Sequence, residues 1–420
     1  MSTAALKKPL QRLGPGLLFA GAAIGVSHLV YSTRAGATYG FGLLWLIIVA
    51  NLFKYPFFEF GPRYAAATGE SLLQGYRRLG RWALLCFILV ALATMFTVQA
   101  AVTLVTASIA MYLFGGGSMI LWSALLLAIC TILLLWGRYQ LLDSLMKLII
   151  TLLTIVTLIT VIVAFARSTP PLVFRQTFPV DKIGLTFVVA FMGWLPAPLD
   201  LSVWHSLWAL QKKENTNTQQ FSLSEALFDF KVGYLGTTLL ALFFMALGAL
   251  VMFQSGVQLS SSNTVFAQQL IELYTTVLGK GFGIFVGIAA FITMFSTTLT
   301  CLDAMPRAMG QAQALWSTTT PPTKDQEQRL YHVWLVVLIV GTLLILQVFL
   351  TNIFAFLLVA TVLSFLTTPF FAIANYILVT RYLSPEQQPN MGLKILSGIG
   401  IVYLFVFCGL YIWNLVYNVG

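Results

Sequence analysis

Two short stretches hold the residue types that could bind a small solute or pass a proton. Gly25, Val26, Ser27 and His28 interrupt one apolar run, and Trp194, Leu195, Pro196, Ala197, Pro198 and Asp200 interrupt another. Histidine changes charge near neutral pH and is a common metal ligand. A carboxylate binds cations, and each proline deletes a backbone donor and breaks a helix. His205 follows Asp200 in the same run, where it could line a path or simply bond within the bundle. Asp303 and Arg307 are spaced to share one helix face, either as an internal ion pair or as part of a gate. For a metal ion, Asp200 and His28 are the best side chains on offer, and an isolated dication in a low-dielectric cavity needs more negative charge than that. Cys86, Cys130, Cys301 and Cys408 lie singly in apolar runs and read as small buried side chains.

The elements that must position these residues are membrane spans. Hydrophobic residues make up 59% of the chain and charged residues 9%, with a mean hydropathy of +0.89. A bilayer core about 30 Å thick takes roughly 20 apolar residues per helix, and the chain carries about eleven such stretches. Barrel strands would alternate apolar and polar residues, whereas 125–135 and 148–163 are almost continuously apolar. The expected spans are 16–36, 41–64, 82–114, 118–137, 143–166, 183–210, 229–253, 281–308, 330–351, 353–380 and 394–418. The expected organisation is a cytoplasmic lead at 1–15 and one transmembrane domain at 16–418. A cleaved signal peptide is not expected. With the N-terminus in the cytoplasm, most of the 23 basic residues fall on the inner side, as the positive-inside rule requires. The net charge of +10 therefore calls for no nucleic-acid partner. A multi-pass cell-membrane protein with its C-terminus on the opposite side is expected. Lys54, inside span 2, should snorkel or find an acid. Arg34 should attract an anion or pair with an acid, and Asp143 with Lys147 should form an anchoring pair.

Both interrupted spans begin a block of five. The expected repeats are 16–166 and 183–380, with 394–418 as an extra helix. An odd number of spans per block inverts the second block relative to the first. In that architecture broken helices meet near the membrane midplane and form a site. Exposed half-helix ends would offer N–H groups to anions and C=O groups to cations.

Ordered motifs along the chain resemble the Nramp family of proton-coupled divalent-metal transporters. They run from Gly14-Pro15-Gly16 through Arg34-Ala35-Gly36-Ala37, Tyr39-Gly40-Phe41, Leu44-Trp45 and Ala50-Asn51-Leu52. They continue with Trp204-His205-Ser206, Ser296-Thr297-Thr298-Leu299-Thr300, Val362-Leu363-Ser364-Phe365 and Pro369-Phe370. The resemblance implies a leucine-transporter-type fold of spans with helices 1 and 6 broken. It also shows what is missing. The family's Asp-Pro-Gly-Asn falls on Gly25-Val26-Ser27-His28, so the carboxylate position is glycine. Its Met-Pro-His falls on Pro198-Leu199-Asp200 or on Leu195-Pro196-Ala197, and neither alignment supplies the soft sulfur that suits transition metals. The acidic pair linked to proton movement falls near Gln99 and Val102, and the span 10 glutamine near Thr367.

These readings give an all-α secondary transporter working by alternating access, with no enzymatic motif and no cofactor. Its site would comprise Gly25 to His28, Trp194 to Asp200, Gln99 and Thr367, with His205, Asp303 and Arg307 on a gate or proton path. The expected partners are a small inorganic ion or small polar solute as cargo, a proton or another ion as the coupling ion, and the lipid bilayer. A divalent metal, a small oxyanion such as bicarbonate, a neutral solute, and binding without transport all remain open.

Overall fold

Every element in the computed structural model is helical among the described residues, which are 14–136, 139–168, 174–215, 222–253, 255–317, 323–349 and 353–417. The lead at 1–13 and the side chains of Asp143 and Lys147 lie outside them. The chain begins with α1 (Pro15–Ala23), a π-helical turn (Ser27–Ser32) and α2 (Thr33–Tyr39). It continues with α3 (Leu44–Thr68), α4 (Leu72–Leu79), α5 (Arg81–Phe114), α6 (Met119–Leu135) and α7 (Tyr139–Arg167). After these come α8 (Lys182–Trp194), α9 (Leu201–Asn215) and α10 (Leu223–Leu247), which runs on as a π-helix (Gly248–Phe253). The last are α11 (Asn263–Leu278), α12 (Gly283–Ser317), α13 (Lys324–Phe349), α14 (Ile353–Leu366), α15 (Thr368–Arg381) and α16 (Met391–Tyr417).

Among the described residues, seven helices are long and apolar enough to cross a membrane, and the first bent pair is an eighth, turning by 49° between Pro15–Ala23 and Ser27–Tyr39. Shorter apolar helices at Met119–Leu135, Thr151–Arg167 and Lys182–Trp194 fit the remaining expected spans. The expected total of about eleven is compatible with this arrangement. Large apolar side chains face outward along the bundle, such as Ile284, Leu344 and Val348. In water such a surface would be a liability, and in lipid it is the natural exterior.

Local chemistry explains where the helices start. Asp181 accepts from the Gly184 amide at the head of α8, at 3.0 Å, and Ser118 and Ser222 cap α6 and α10. Ser71 and Gln74 form a reciprocal capping box on α4, the short helix between spans 2 and 3. A break absent from the sequence expectations lies in span 10, where α14 ends at Leu366 and α15 starts at Thr368 ahead of Pro369.

Two sets of close helix contacts frame the interrupted spans. In one, α1 lies on α10, α3 lies on α9 and α10, and α8 lies on α14. In the other, α5 runs along α12 and α13. Glycine permits the closest approaches in the first set. A Cβ on Gly36 would overlap the Met245 carbonyl, one on Gly16 the Asp229 carbonyl, and one on Gly193 the Thr361 carbonyl.

Candidate functional site

The two sequence interruptions are neighbours in space. The first is short: α1 stops at Ala23 and the π-turn starts at Ser27. The second is wider, with residues 195–200 non-helical between α8 and α9. The Ser27 hydroxyl lies 3.1 Å from the Ala23 carbonyl, 2.8 Å from His28 Nδ1 and 3.3 Å from the Pro196 carbonyl. Its single proton thus has three acceptors within reach.

A small cavity opens where the interruptions meet the second set of helices. Its walls are Ala22, Ala23, Gly25, Val26 and Ser27 from span 1, and Trp194, Ala197, Pro198, Leu201 and Trp204 from span 6. Val98 and Val102 of α5 and Thr297 and Cys301 of α12 close it. The cavity holds about 20 Å³, room for little more than a water molecule. Among the described residues no acidic or basic side chain lines it. Trp194 is held in place by its indole N–H, which donates to Ser364 Oγ at 2.9 Å.

Gly25 fits this wall for a packing reason. A Cβ there would come within 3.0 Å of Thr297 Cγ2 and 3.1 Å of its Oγ1. A side chain at Gly25 would need the Thr297 side chain to give by a few tenths of an ångström. The Thr297 hydroxyl in turn stands 3.1 Å from the Gly21 carbonyl and 3.0 Å from that of Ile24, covering the end of α1.

A second, smaller cavity of about 10 Å³ adjoins the first. It is lined by Asp200, Thr94, Phe87, Ala91, Ala308 and the methionines Met95, Met305 and Met309. Trp204 lines both cavities. Asp200 Oδ1 is buried there without a hydrogen-bond partner among the described residues. These methionines come from α5 and α12, not from span 6 where the family motif would put one, so the alignment of span 6 could not find them.

Other expected site residues lie elsewhere. His28 is wholly buried and lines neither cavity; its Nε2 lies 2.9 Å from the Thr237 carbonyl on α10. A carbonyl only accepts, so Nε2 carries a proton, and a neutral ring leaves Nδ1 to accept from Ser27. Both nitrogens are engaged within the protein. Gln99 lines neither cavity; its Nε2 donates to the Thr298 carbonyl at 3.2 Å and its Oε1 has no partner among the described residues. Leu195 and Pro196 sit behind the wall, and Thr367 bonds back to the Ser364 carbonyl at 2.9 Å. His205 is buried between Phe19 and Phe230, with neither ring nitrogen partnered among the described residues, and lines neither cavity. Arg307 pairs with Asp303 on α12 at 2.8 Å, and Tyr331 of α13 donates to the same carboxylate at 3.0 Å. This group also stays off the cavity walls.

The expectation of free half-helix ends is corrected. Lys54 of α3 covers the carbonyl end of α8, so it neither snorkels nor pairs with an acid. At the head of α9, the amides of Leu201, Ser202 and Val203 bond back to the carbonyls of Pro198, Leu199 and Asp200. Arg34 stacks over Phe354 and Phe187, at 4.3 and 5.4 Å from the ring centroids. One residue that the sequence gave no reason to choose is Asp229 of α10. It accepts from the amides of Gly14 and Gly16, both at 3.0 Å, and lies 3.8 Å from Lys212 Nζ. Only the fold brings it to the head of α1.

Comparison with known proteins adds to this geometry. Residues 16–416 match the Nramp family, described as natural resistance-associated macrophage protein-like. An uncharacterized protein of Pasteurella multocida (strain Pm70) is 37% identical over 405 residues, covering 95% of this chain and 91% of that one. The structure is similar to that of an Eremococcus coleocola manganese transporter, with a TM-score of 0.67 at 15% identity over 97% of this chain and 87% of the other. It is also similar to Mhp1, a nucleobase-cation-symport-1 family transporter, with a TM-score of 0.60 at 16% identity over 96% and 92% of the two chains. Identities this low speak to fold alone, and the fold is the leucine-transporter-type inverted repeat with helices 1 and 6 broken.

Proposed function

This chain belongs to the natural resistance-associated macrophage protein-like family, and from that premise we propose that it is a secondary transporter moving a small ion or small polar solute by alternating access. The observation that carries this reading is the cavity between the two sets of helices, walled by both interrupted spans on one side and by α5 and α12 on the other. A rocking of one set against the other would open such a space to each side in turn. We place the N-terminus in the cytoplasm, the C-terminus on the opposite side, and the domain at 16–418 with repeats at 16–166 and 183–380.

Family membership makes a metal ion the first cargo to test, and the manganese transporter with the same fold supports that order. The supporting chemistry lies in the smaller cavity, where one carboxylate, Asp200, shares the walls with Met95, Met305 and Met309. Thioethers suit soft transition metals. His28 adds nothing to that set, because both ring nitrogens are engaged.

A second reading rests on the larger cavity. Its walls are uncharged and largely apolar or aromatic. A bare dication there would lack the negative charge that burial demands. A small neutral solute meets no such penalty; a small anion such as bicarbonate needs no carboxylate but would have to find donors to replace its hydration. Uptake into proteoliposomes separates the readings. Mn²⁺, Mg²⁺, bicarbonate and small neutral solutes are compared with and without a pH gradient, for the wild type and Asp200→Ala. Saturable Mn²⁺ uptake lost in Asp200→Ala supports the metal reading. Uptake of an anion or neutral solute that survives in Asp200→Ala supports the second. No flux of any of them, with saturable binding intact, would leave a binding protein.

A further inference from the structure

We propose that the Lys54 ammonium is a tethered cation that fills a monovalent-cation position at the end of α8, so that this chain takes no free alkali ion there. Lys54 is wholly buried in the middle of α3. Its Nζ donates to the carbonyl of Met192, to that of Gly193 at 3.1 Å and to that of Ala197 at 3.5 Å. No carboxylate pairs with it among the described residues. The ring of Phe365 lies 6.0 Å away.

These carbonyls converge because α8 stops at Trp194 and residues 195–200 do not continue it. The last carbonyls of a helix have no intrahelical partner, and that end carries partial negative charge. Deep in a membrane protein such a cluster must be satisfied. Unwound carbonyls and half-helix C-terminal ends are the ligands that hold alkali cations in transporters with broken helices. An ammonium has three donors and no acceptor, which matches the three carbonyls. The positive charge comes from α3 of the same chain, so it cannot leave during a transport cycle.

The inference rests on the break in span 6 and holds whatever the cargo, so its test reads stability and not flux. Purified protein is unfolded thermally in NaCl, KCl or choline chloride at equal ionic strength. The wild type should melt at the same temperature in all three. Lys54→Ala removes the charge and leaves room; it should melt lower in choline and recover by roughly 3–5 °C in NaCl or KCl, as expected for a ligand bound only by the folded state. Lys54→Met fills the space without donors; it should melt lower and show no recovery. A wild type stabilised by sodium, a Lys54→Ala variant indifferent to the salt, or a Lys54→Met variant that responds like Lys54→Ala would overturn the proposal. If Lys54→Ala fails to fold in choline, recovery of folded protein on purification in NaCl supports it, and failure in both salts overturns it.

Discussion

The Ser27 hydroxyl lies 3.3 Å from the Pro196 carbonyl oxygen and joins the interruption of span 1 to that of span 6. The same hydroxyl is 2.8 Å from His28 Nδ1, whose ring reaches through Nε2 to the Thr237 carbonyl. One side chain therefore connects both breaks to α10.

Ser27→Ala removes that connection and leaves a buried Nδ1 without a donor. A loss of about 1–2 kcal/mol in stability is expected. Transport should slow as well, because the two breaks lose their direct polar contact. Thermal unfolding and proteoliposome flux measured on the same preparation check both parts, and an unchanged flux would show that the contact is incidental.

His28→Ala should act on the fold more than on the cargo. The ring faces α10 and lies off the cavity walls. Removing a buried ring and its two hydrogen bonds is expected to cost about 2–4 kcal/mol, with the apparent KM of the folded fraction unchanged. A large rise in KM without a stability loss would make His28 a cargo ligand after all.

Trp204→Ala should merge the two cavities, since this indole is shared by both walls. Cys301 lines the larger cavity and reports on it. In a background where the other cysteines are replaced, labelling of Cys301 by a small thiol reagent should rise severalfold in Trp204→Ala. Labelling equal to that of the parent would mean that another barrier closes the path.

Asp229→Asn should loosen the head of α1. The carboxylate takes one amide on each oxygen, from Gly14 and Gly16, and an asparagine has one acceptor oxygen and no charge to set against the helix dipole. A loss of about 1–2 kcal/mol is expected. Hydrogen exchange should show the Gly14 and Gly16 amides losing protection while the body of α10 keeps it.

Gly36→Ala should be costly despite the small change, because the new Cβ would overlap the Met245 carbonyl and part α2 from α10. Overpacking of this kind costs about 1–3 kcal/mol or more. Gly236→Ala, where an added Cβ meets nothing, is the control and should melt like the wild type.

Composition and apolar run length alone are enough to tell that this chain sits in lipid and is built of helices. Runs long enough to cross a bilayer must be helical there, because lipid offers no partner to an unpaired backbone. The prolines at 196 and 198 and the small and polar residues at 25–28 marked where two of those helices are interrupted, and family motifs ordered the rest. What each polar side chain does was decided only by the tertiary structure, because that depends on partners far away in the chain. His28 meets Thr237, Lys54 meets the end of α8, and Asp229 meets the head of α1. Met95, Met305 and Met309 come together around Asp200 only because α5 packs along α12 and α12 in turn reaches α9. Local pattern governs which segments are helical; burial and hydrogen bonding across the bundle govern which of their side chains are left facing a cavity.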